Sequence, residues 1–202
     1  MEFKDLMNTR FACKKYSDKS VDKSIIDYIL ECGRLTPSSF GFEAWSFHVV
    51  IGKEKREALY EACFKQESMK TSAFSICLCV PKTSMSPEDP LVIQRGERFP
   101  GSLEEFLDDY KGYYDFLNST NSIEPWLKAQ TYLVCSNMMN AAVEKGVQSC
   151  AIEGFVNERV LDVLNLDKDK NTVGIIITFG YKDEPIREKI RMDVNEITTF
   201  YH

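Results

Sequence analysis

Four short segments of the chain combine charged, hydroxyl and glycine residues in ways that suit an anionic, flat ligand. In the first, Arg10, Lys14 and Lys15 place three cations within six residues. Such a cluster suits a phosphate or an anionic ring, because guanidinium and ammonium groups donate charge-assisted hydrogen bonds. A solvated basic patch is the alternative interpretation.

The second and third segments supply backbone donors. Residues 37–45 read Pro-Ser-Ser-Phe-Gly-Phe-Glu-Ala-Trp, and this loop can offer hydroxyls and N–H groups to a polar ligand. Residues 152–155 read Ile-Glu-Gly-Phe, and the glycine lets the main chain approach a flat ligand closely. Either segment alone is also compatible with an ordinary turn.

The fourth segment, residues 187–191, lies in the charged C-terminal tail. Lys189 and Arg191 are two residues apart, so they share one face of an extended chain and can grip a phosphate. A solvated tail is again the alternative.

Composition narrows the functional classes. The net charge is -6 and the basic residues are scattered, which argues against a nucleic-acid partner. The chain has only two histidines, His48 and His202, and histidine is needed for a Ser-His-Asp triad and for most zinc sites. We therefore predict no metal. If the chain is an enzyme, its chemistry is expected to come from a bound cofactor.

Cysteines and apolar runs indicate the compartment. The seven cysteines are irregularly spaced, and we predict reduced, mostly buried thiols in a cytoplasmic protein. The longest apolar runs are too short to span a bilayer, and the charged N-terminus does not resemble a secretion signal, so we expect no membrane association.

Hydrophobic periodicity predicts the elements that position these segments. Helices are predicted from about Ile25 to Leu35 and over residues 53–63, 103–117, 126–145 and 157–164. Strands are predicted over residues 45–51, 74–80, 148–152 and 172–179, with a possible edge strand over residues 194–201. Residues 85–100, rich in proline and charge, are predicted to form a loop. This order indicates an α+β fold, a three-layer α/β/α sandwich, in one domain over residues 1–202.

Taken together, the four segments closely resemble the FMN-dependent nitroreductase family over nearly the whole chain. The likeness is strongest to the oxygen-insensitive NAD(P)H nitroreductases and related flavin reductases. The positions that carry it are Arg10 and Lys14, Pro37-Ser38-Ser39 with Trp45, Trp126 and Gln130, Ile152–Phe155, Gly180-Tyr181, and Lys189 with Arg191.

The resemblance implies an intertwined homodimer with two FMN molecules at the interface and a C-terminal tail that reaches the partner. It places Arg10, Lys189 and Arg191 on the FMN phosphate. It places Lys14 near N1 and O2 of the isoalloxazine, where a cation raises the reduction potential because negative charge gathers there on reduction.

The same resemblance assigns the remaining contacts. Backbone groups of Glu153 and Gly154 face N5 and O4, so these two residues and Lys14 are the implied catalytic positions. Gln66 lies near the pyrimidine edge, with Lys70 as a second cation. The implied FMN contacts are completed by Phe11, Ala12, Pro37, Ser38, Ser39, Gly41 and Ile152, of which Ser38, Ser39 and Gly41 reach the FMN of the other subunit.

The implied activity is a two-step electron transfer in one slot. NAD(P)H gives a hydride to flavin N5 and leaves, and a nitroaromatic or quinone then takes two electrons. Aromatic side chains could roof this slot, although such clusters more often belong to a core. The candidates are Phe40, Tyr113, Tyr114 and Phe116.

Two departures from the family pattern predict altered substrate choice without loss of FMN binding. Ala12 stands where many relatives carry serine, and residues 41–44 read Gly-Phe-Glu-Ala in place of Asn-x-Gln-Pro. The second change loses an amide near the flavin and adds a bulky ring and a negative charge.

The same sequence is compatible with other functions. They include a flavin reductase, an enoate-type reductase or a dehalogenating or ring-fragmenting enzyme on the same fold, and a non-catalytic flavin-binding or redox-sensing module. A cofactor-free structural dimer is disfavoured, because Arg10, Lys14, Lys189 and Arg191 would then be unexplained like charges. Preference for NADH or NADPH is undetermined, since no Rossmann fingerprint is present.

Overall fold

A computed structural model describes residues 2–202 as eight α-helices and four β-strands. The helices are α1 Phe3–Thr9, α2 Lys23–Arg34, α3 Lys53–Ala62, α4 Glu67–Thr71, α5 Pro90–Gly96, α6 Leu103–Ser119, α7 Ile123–Glu144 and α8 Asn157–Leu164. The strands are β1 Ser46–Val50, β2 Phe74–Pro81, β3 Gln148–Ile152 and β4 Asn171–Gly180.

The strands form one antiparallel sheet in the order β1-β2-β4-β3. The two long central strands, β2 and β4, are almost wholly buried, as their continuous apolar sequences require. In β3, Ala151 pairs with Ile177 of β4, which fixes the end of β3 just before Glu153 and Gly154.

Helices cover both faces of the sheet and make three layers. Ile76 and Leu78 of β2 pack with α2 and α7 on one face, in a cluster that includes Ile29 and Met138. The alternate β2 residues, including Cys77, pack with α3 and α8 on the other face. The predicted three-layer α+β sandwich is therefore confirmed, and alternation along β2 produces it.

The predicted helices and strands are present with ends shifted by a few residues, but two predictions are wrong. Residues 85–100 are not all loop, because α5 begins after Asp89, whose side chain accepts from the Leu91 N–H, with Pro90 at the first helical position. Residues 194–201 form no strand: Val194–Glu196 is a 3₁₀ turn, and the following residues are exposed without a strand partner in the described chain.

Helices α5 and α6 build a separate apolar cluster beside the first turns of α7. Phe42 and Tyr110 lie at its centre, with ring centroids 4.8 Å apart. The Tyr110 hydroxyl donates to the Met85 carbonyl at 2.7 Å, so the one polar group of this ring is satisfied inside the cluster.

All seven thiols are free, and six of them are buried, as predicted. Burial raises the pKa of the Cys63, Cys79 and Cys135 thiols to about 12, so these groups stay protonated at neutral pH. Across residues 2–202, the structure contains no helix with the length and apolar character that a membrane crossing requires.

Candidate functional site

Main-chain hydrogen bonds hold the first basic segment against the sheet. Ala12 forms a parallel bridge with Ser149 of β3, and the Cys13 N–H donates to the Ser149 carbonyl at 3.1 Å. The buried Tyr16 pairs with Lys182, and its hydroxyl donates to the Thr178 carbonyl. The backbone positions of Arg10 and Lys14 are therefore fixed by the sheet rather than by their own side chains.

The beginning of the C-terminal tail folds back along this segment. The Asp183 N–H donates to the Lys15 carbonyl at 3.0 Å, and the backbone N–H groups of Lys14 and Lys15 donate to the Glu184 carboxylate. Further on, the Lys189 ammonium donates to the Arg10 carbonyl. The first and fourth segments of the sequence thus meet in space.

Arg10, Lys189 and Arg191 form a group of uncompensated positive charges. Partial burial and the neighbouring charges of Arg10 and Arg191 lower the pKa of the Lys189 ammonium. In the described part of the chain no carboxylate forms an ion pair with any of the three. Like charges held together in this way suit a multiply charged anion such as a phosphate.

The Lys14 side chain lies beside β3, the strand that leads into the Gly154 turn. Its ammonium is 3.1 Å from Cys150 Sγ on β3, two residues before Ile152. Ile152 itself is buried, whereas Glu153 and Gly154 are exposed at the strand end. The cation and the exposed turn therefore border the same surface.

The Gln66 side chain holds the Gly154 turn from the other side. Gln66 Nε2 donates to the Gly154 carbonyl at 2.9 Å and to the Cys63 carbonyl at 3.0 Å. A Cβ at Gly154 would come within 3.3 Å of Gln66 Nε2 and 3.5 Å of the Phe64 ring. Glycine thus allows the close contact, and it leaves the outer face of the turn free for a flat ligand.

The Ser38–Ser39 loop has an unusual backbone. Phe40, Gly41 and Glu43 have φ angles of 53°, 63° and 46°, a conformation that costs free energy for residues other than glycine. Polar contacts stabilise it: the Ser39 N–H donates to Gln130 Oε1 and the Glu43 N–H donates to Ser38 Oγ, both at 2.9 Å.

This backbone presents Phe40 to the aromatic residues of α6. Its ring stacks on Tyr113 with centroids 5.6 Å apart, and Tyr113 in turn lies 6.4 Å from the Phe116 ring. Tyr114 lies beside the buried Tyr110 instead. Phe40 is 36% exposed and Phe116 is 59% exposed, so this row of rings is partly available to a ligand.

Not every predicted site residue joins these groups. Lys70 lines a cleft of about 540 Å³ with Lys53 and Arg56 and makes no hydrogen bond to the Gly154 turn. Phe11 is buried, and its side chain packs against Cys13 and Tyr16.

Helix α7 links the two halves of the site. Gln130 contacts the Ser39 backbone, and two residues later the Tyr132 hydroxyl donates to the Glu153 carboxylate at 2.8 Å. Burial and this contact raise the pKa of Tyr132 to about 12. Within residues 2–202 no hydrogen bond joins the Ser38–Ser39 loop directly to Lys14 or Gly154.

Residues 41–44, which depart from the family pattern, have partners for both the additional ring and the additional charge. The Phe42 ring is buried among Tyr110, Phe106 and Trp126, and the Glu43 carboxylate lies 3.3 Å from the Arg98 guanidinium. The extra ring and the extra charge are thus turned towards α5, α6 and α7.

Comparisons with known proteins identify the family to which this fold belongs. The model of the nitroreductase family matches residues 7–181. The chain belongs to the nitroreductase family. It is 31% identical to YfkO of Bacillus subtilis, whose name assigns it provisionally to the NAD(P)H nitroreductases, over 96% of this chain and 94% of that one. The recognised family is therefore confirmed.

Solved structures of this family share the fold. A nitroreductase family protein from Streptococcus pneumoniae superposes with a TM-score of 0.79 at 25% identity, covering 99% of this chain and 100% of that one. A protein from Exiguobacterium sibiricum, solved in complex with FMN, superposes with a TM-score of 0.76 at 17% identity, covering 100% and 98% of the two chains.

Three contacts were missed from sequence. Cys150 lies against Lys14, Tyr132 binds Glu153, and Gln66 donates to the Gly154 carbonyl. The alternation of β3 could have placed Cys150 on the same face as Ile152, but nothing in the sequence pairs Tyr132 with Glu153.

Proposed function

We propose that residues 1–202 form a single FMN-binding domain and that the protein is an FMN-dependent oxidoreductase. It uses NAD(P)H to reduce nitroaromatics, quinones and similar small electron-poor compounds. The observation that carries the proposal is the meeting of Arg10, Lys189 and Arg191 without a counter-ion. A phosphate monoester supplies the charge that this group lacks.

The residues present fit FMN at both of its ends. The uncompensated cations suit the phosphate, and the exposed Gly154 turn beside Lys14 suits a flat ring. The buried Ser149 Oγ, in the residue bridged to Ala12, has no hydrogen-bond partner in the described chain and offers a further polar group. The family match and the FMN complex of the Exiguobacterium sibiricum protein support the same cofactor.

FMN, when bound, supplies two-electron exchange between NAD(P)H and the acceptor. The chain's own residues bind and orient the reactants. In the proposed site the Lys14 ammonium would stabilise negative charge on a bound flavin ring, and the Glu153–Gly154 backbone would contact that ring. Gln66 and Tyr132 hold that turn in place through the Gly154 carbonyl and the Glu153 carboxylate.

The two reactants use one slot in turn under this proposal, which is a ping-pong mechanism. Phe40 and Tyr113, stacked at 5.6 Å, form its roof together with Phe116. Ser38, Ser39 and Gly41 reach the FMN of a second subunit. This role is consistent with their lack of direct contact with Lys14 and Gly154 within the described chain.

We also propose a cytoplasmic homodimer. Large apolar side chains are exposed on α7 and on the tail, including Leu133 at 48% and Ile190 at 87%. A second copy of the chain would cover them, with residues 192–202 reaching across to the partner.

Steady-state oxidation of NADH and NADPH with a quinone acceptor tests the activity. FMN-loaded protein should turn over at least one nucleotide and give parallel double-reciprocal plots, as one-slot exchange requires. A protein that binds FMN but oxidises neither nucleotide would instead be the non-catalytic flavin-binding or redox-sensing module.

A further inference from the structure

A second cluster of arginines lies beside the proposed roof of the slot. Arg95 is in the last turn of α5, and Arg98 follows three residues later. Together with Phe40 and Phe99 they line a cleft of about 360 Å³. Of the residues assigned above to FMN, only Gly41 borders this cleft.

One of the two arginines is without a partner. Arg95 Nε is buried and has no hydrogen-bond partner in the described chain, and Arg95 forms no ion pair there. Arg98 donates to Glu43 Oε2 at 3.3 Å and to the Gly41 carbonyl at 3.5 Å, both of them long contacts. A single carboxylate faces two guanidinium groups, so the cleft has room for one more negative charge.

Packing fixes the end of α5, between the two arginines. A Cβ at Gly96 would come within 2.6 Å of the Phe106 ring and 2.8 Å of Leu103, so the end of α5 lies directly on α6. The rings of Phe40 and Phe99 flank the same Phe106, at centroid distances of 6.3 Å and 5.3 Å. The cleft therefore has aromatic walls, with the two guanidinium groups beside the packed end of α5.

We propose that this cleft is a subsite for substrates that are flat and carry a carboxylate. The aromatic rings contact the flat body, and Arg95 with Arg98 binds the carboxylate. The assignment deepens the proposed function, on which it rests, by naming the substrate class. A single carboxylate matches the one guanidinium that has no partner, whereas the phosphates of a nucleotide bring more negative charge than this cleft can pair.

Glu43 is the internal competitor of that carboxylate. It occupies Arg98 through a contact that a substrate carboxylate would have to share or displace. Removing its charge should therefore tighten binding of an anionic substrate and leave binding of a neutral one unchanged.

The test is the pair of dissociation constants of para-nitrobenzoate and para-nitrobenzamide, measured with FMN-loaded protein by calorimetry. The wild type should prefer the benzoate. Arg95→Gln and Arg98→Gln should each lower that preference about tenfold, and Glu43→Gln should raise it. Arg159→Gln, an exposed arginine on α8, is the matched control and should change nothing.

Arg95→Lys guards against loss of fold, because it keeps the charge and should keep part of the preference. No preference in the wild type, or an unchanged preference in both glutamine variants, would overturn the proposal. Tighter binding of ADP than of the benzoate, lost in Arg95→Gln, would assign the cleft to nucleotide phosphates and overturn it as well. Reduction of the neutral benzamide by NAD(P)H is scored separately, so failure of the proposed function is recognised independently of the binding ratio.

Discussion

Arg10 and Phe40 belong to two separate parts of the candidate site, and the chain fixes these parts by different means. The segment around Arg10 is held by main-chain hydrogen bonds to β3 and to the tail. The loop around Phe40 is held by side chains, namely Gln130, Ser38 and the stacked Tyr113, in a backbone conformation that costs free energy.

Because of this difference, substitutions are expected to affect the two parts of the site unequally. Main-chain contacts survive most substitutions, so the proposed cofactor end tolerates Ala12 without losing its geometry. Side-chain contacts change when the residues that make them change. In residues 41–44, the Phe42 ring packs against Tyr110 and the Glu43 carboxylate pairs with Arg98. Substrate choice is thus expected to vary more readily than cofactor binding.

The largest expected effect is a loss of stability in the loop around Phe40, which side chains hold in place. Phe42→Ala removes a buried ring from the α5–α6 cluster and should lower the free energy of unfolding by about 3–5 kcal/mol. Urea denaturation of the FMN-loaded protein measures it. Phe116→Ala, which removes an exposed ring, is the control and should cost far less. Equal losses in both variants would contradict the assignment of Phe42 to the core.

Arg10→Ala tests the segment around Arg10, which main-chain hydrogen bonds hold in place. It should weaken FMN binding by about 1.5–3 kcal/mol, because a charge-assisted phosphate contact is lost while the backbone stays in place. Fluorescence titration with FMN gives the dissociation constant. Arg34→Ala, which breaks only a surface pair with Glu31, should leave it unchanged. Full occupancy of the Arg10 variant at low free FMN would refute the role.

The pH dependence of FMN affinity sharpens the same comparison. The pKa of Lys189 is lowered by burial and by Arg10 and Arg191, and only its protonated form attracts a phosphate. Affinity should therefore fall as pH rises through that lowered pKa, by up to about tenfold for one lost contact. Lys189→Arg should abolish the fall, since arginine stays charged. A flat profile in the wild type would place Lys189 outside the phosphate site.

Tyr132→Phe is expected to have the smallest effect. It removes the hydrogen bond to an exposed Glu153 carboxylate, worth about 0.5–1 kcal/mol. Turnover with a quinone should fall a fewfold while FMN affinity is kept. A loss as large as that of Arg10→Ala would mean that α7, rather than the main chain of β3, sets the cofactor end.

The sequence predicted the sheet and its covering helices because their periodicity is strong. It failed where a short segment is decided by one cap or one partner. Helix α5 lies in a stretch rich in proline and charge, although Asp89 and Pro90 form a helix-start signal that would have revealed it. Residues 194–201 carry apolar side chains that would suit a strand, but nothing in the described chain covers them.

The site was predictable in its residue types and not in its contacts. The basic positions near both ends were identified from their pattern, yet only the fold shows that Lys189 reaches the Arg10 carbonyl. Arg95 and Arg98 could not be identified from sequence, because two arginines three residues apart are common, and only the fold shows that they line one cleft with Phe40.

The most direct test of FMN binding is the visible spectrum of the purified protein, with the released cofactor identified and counted. We predict flavin absorption bands and about one FMN released per chain. A colourless protein that also fails to take up added FMN would contradict the central claim. The charge cluster of Arg10, Lys189 and Arg191 would then need a different anion.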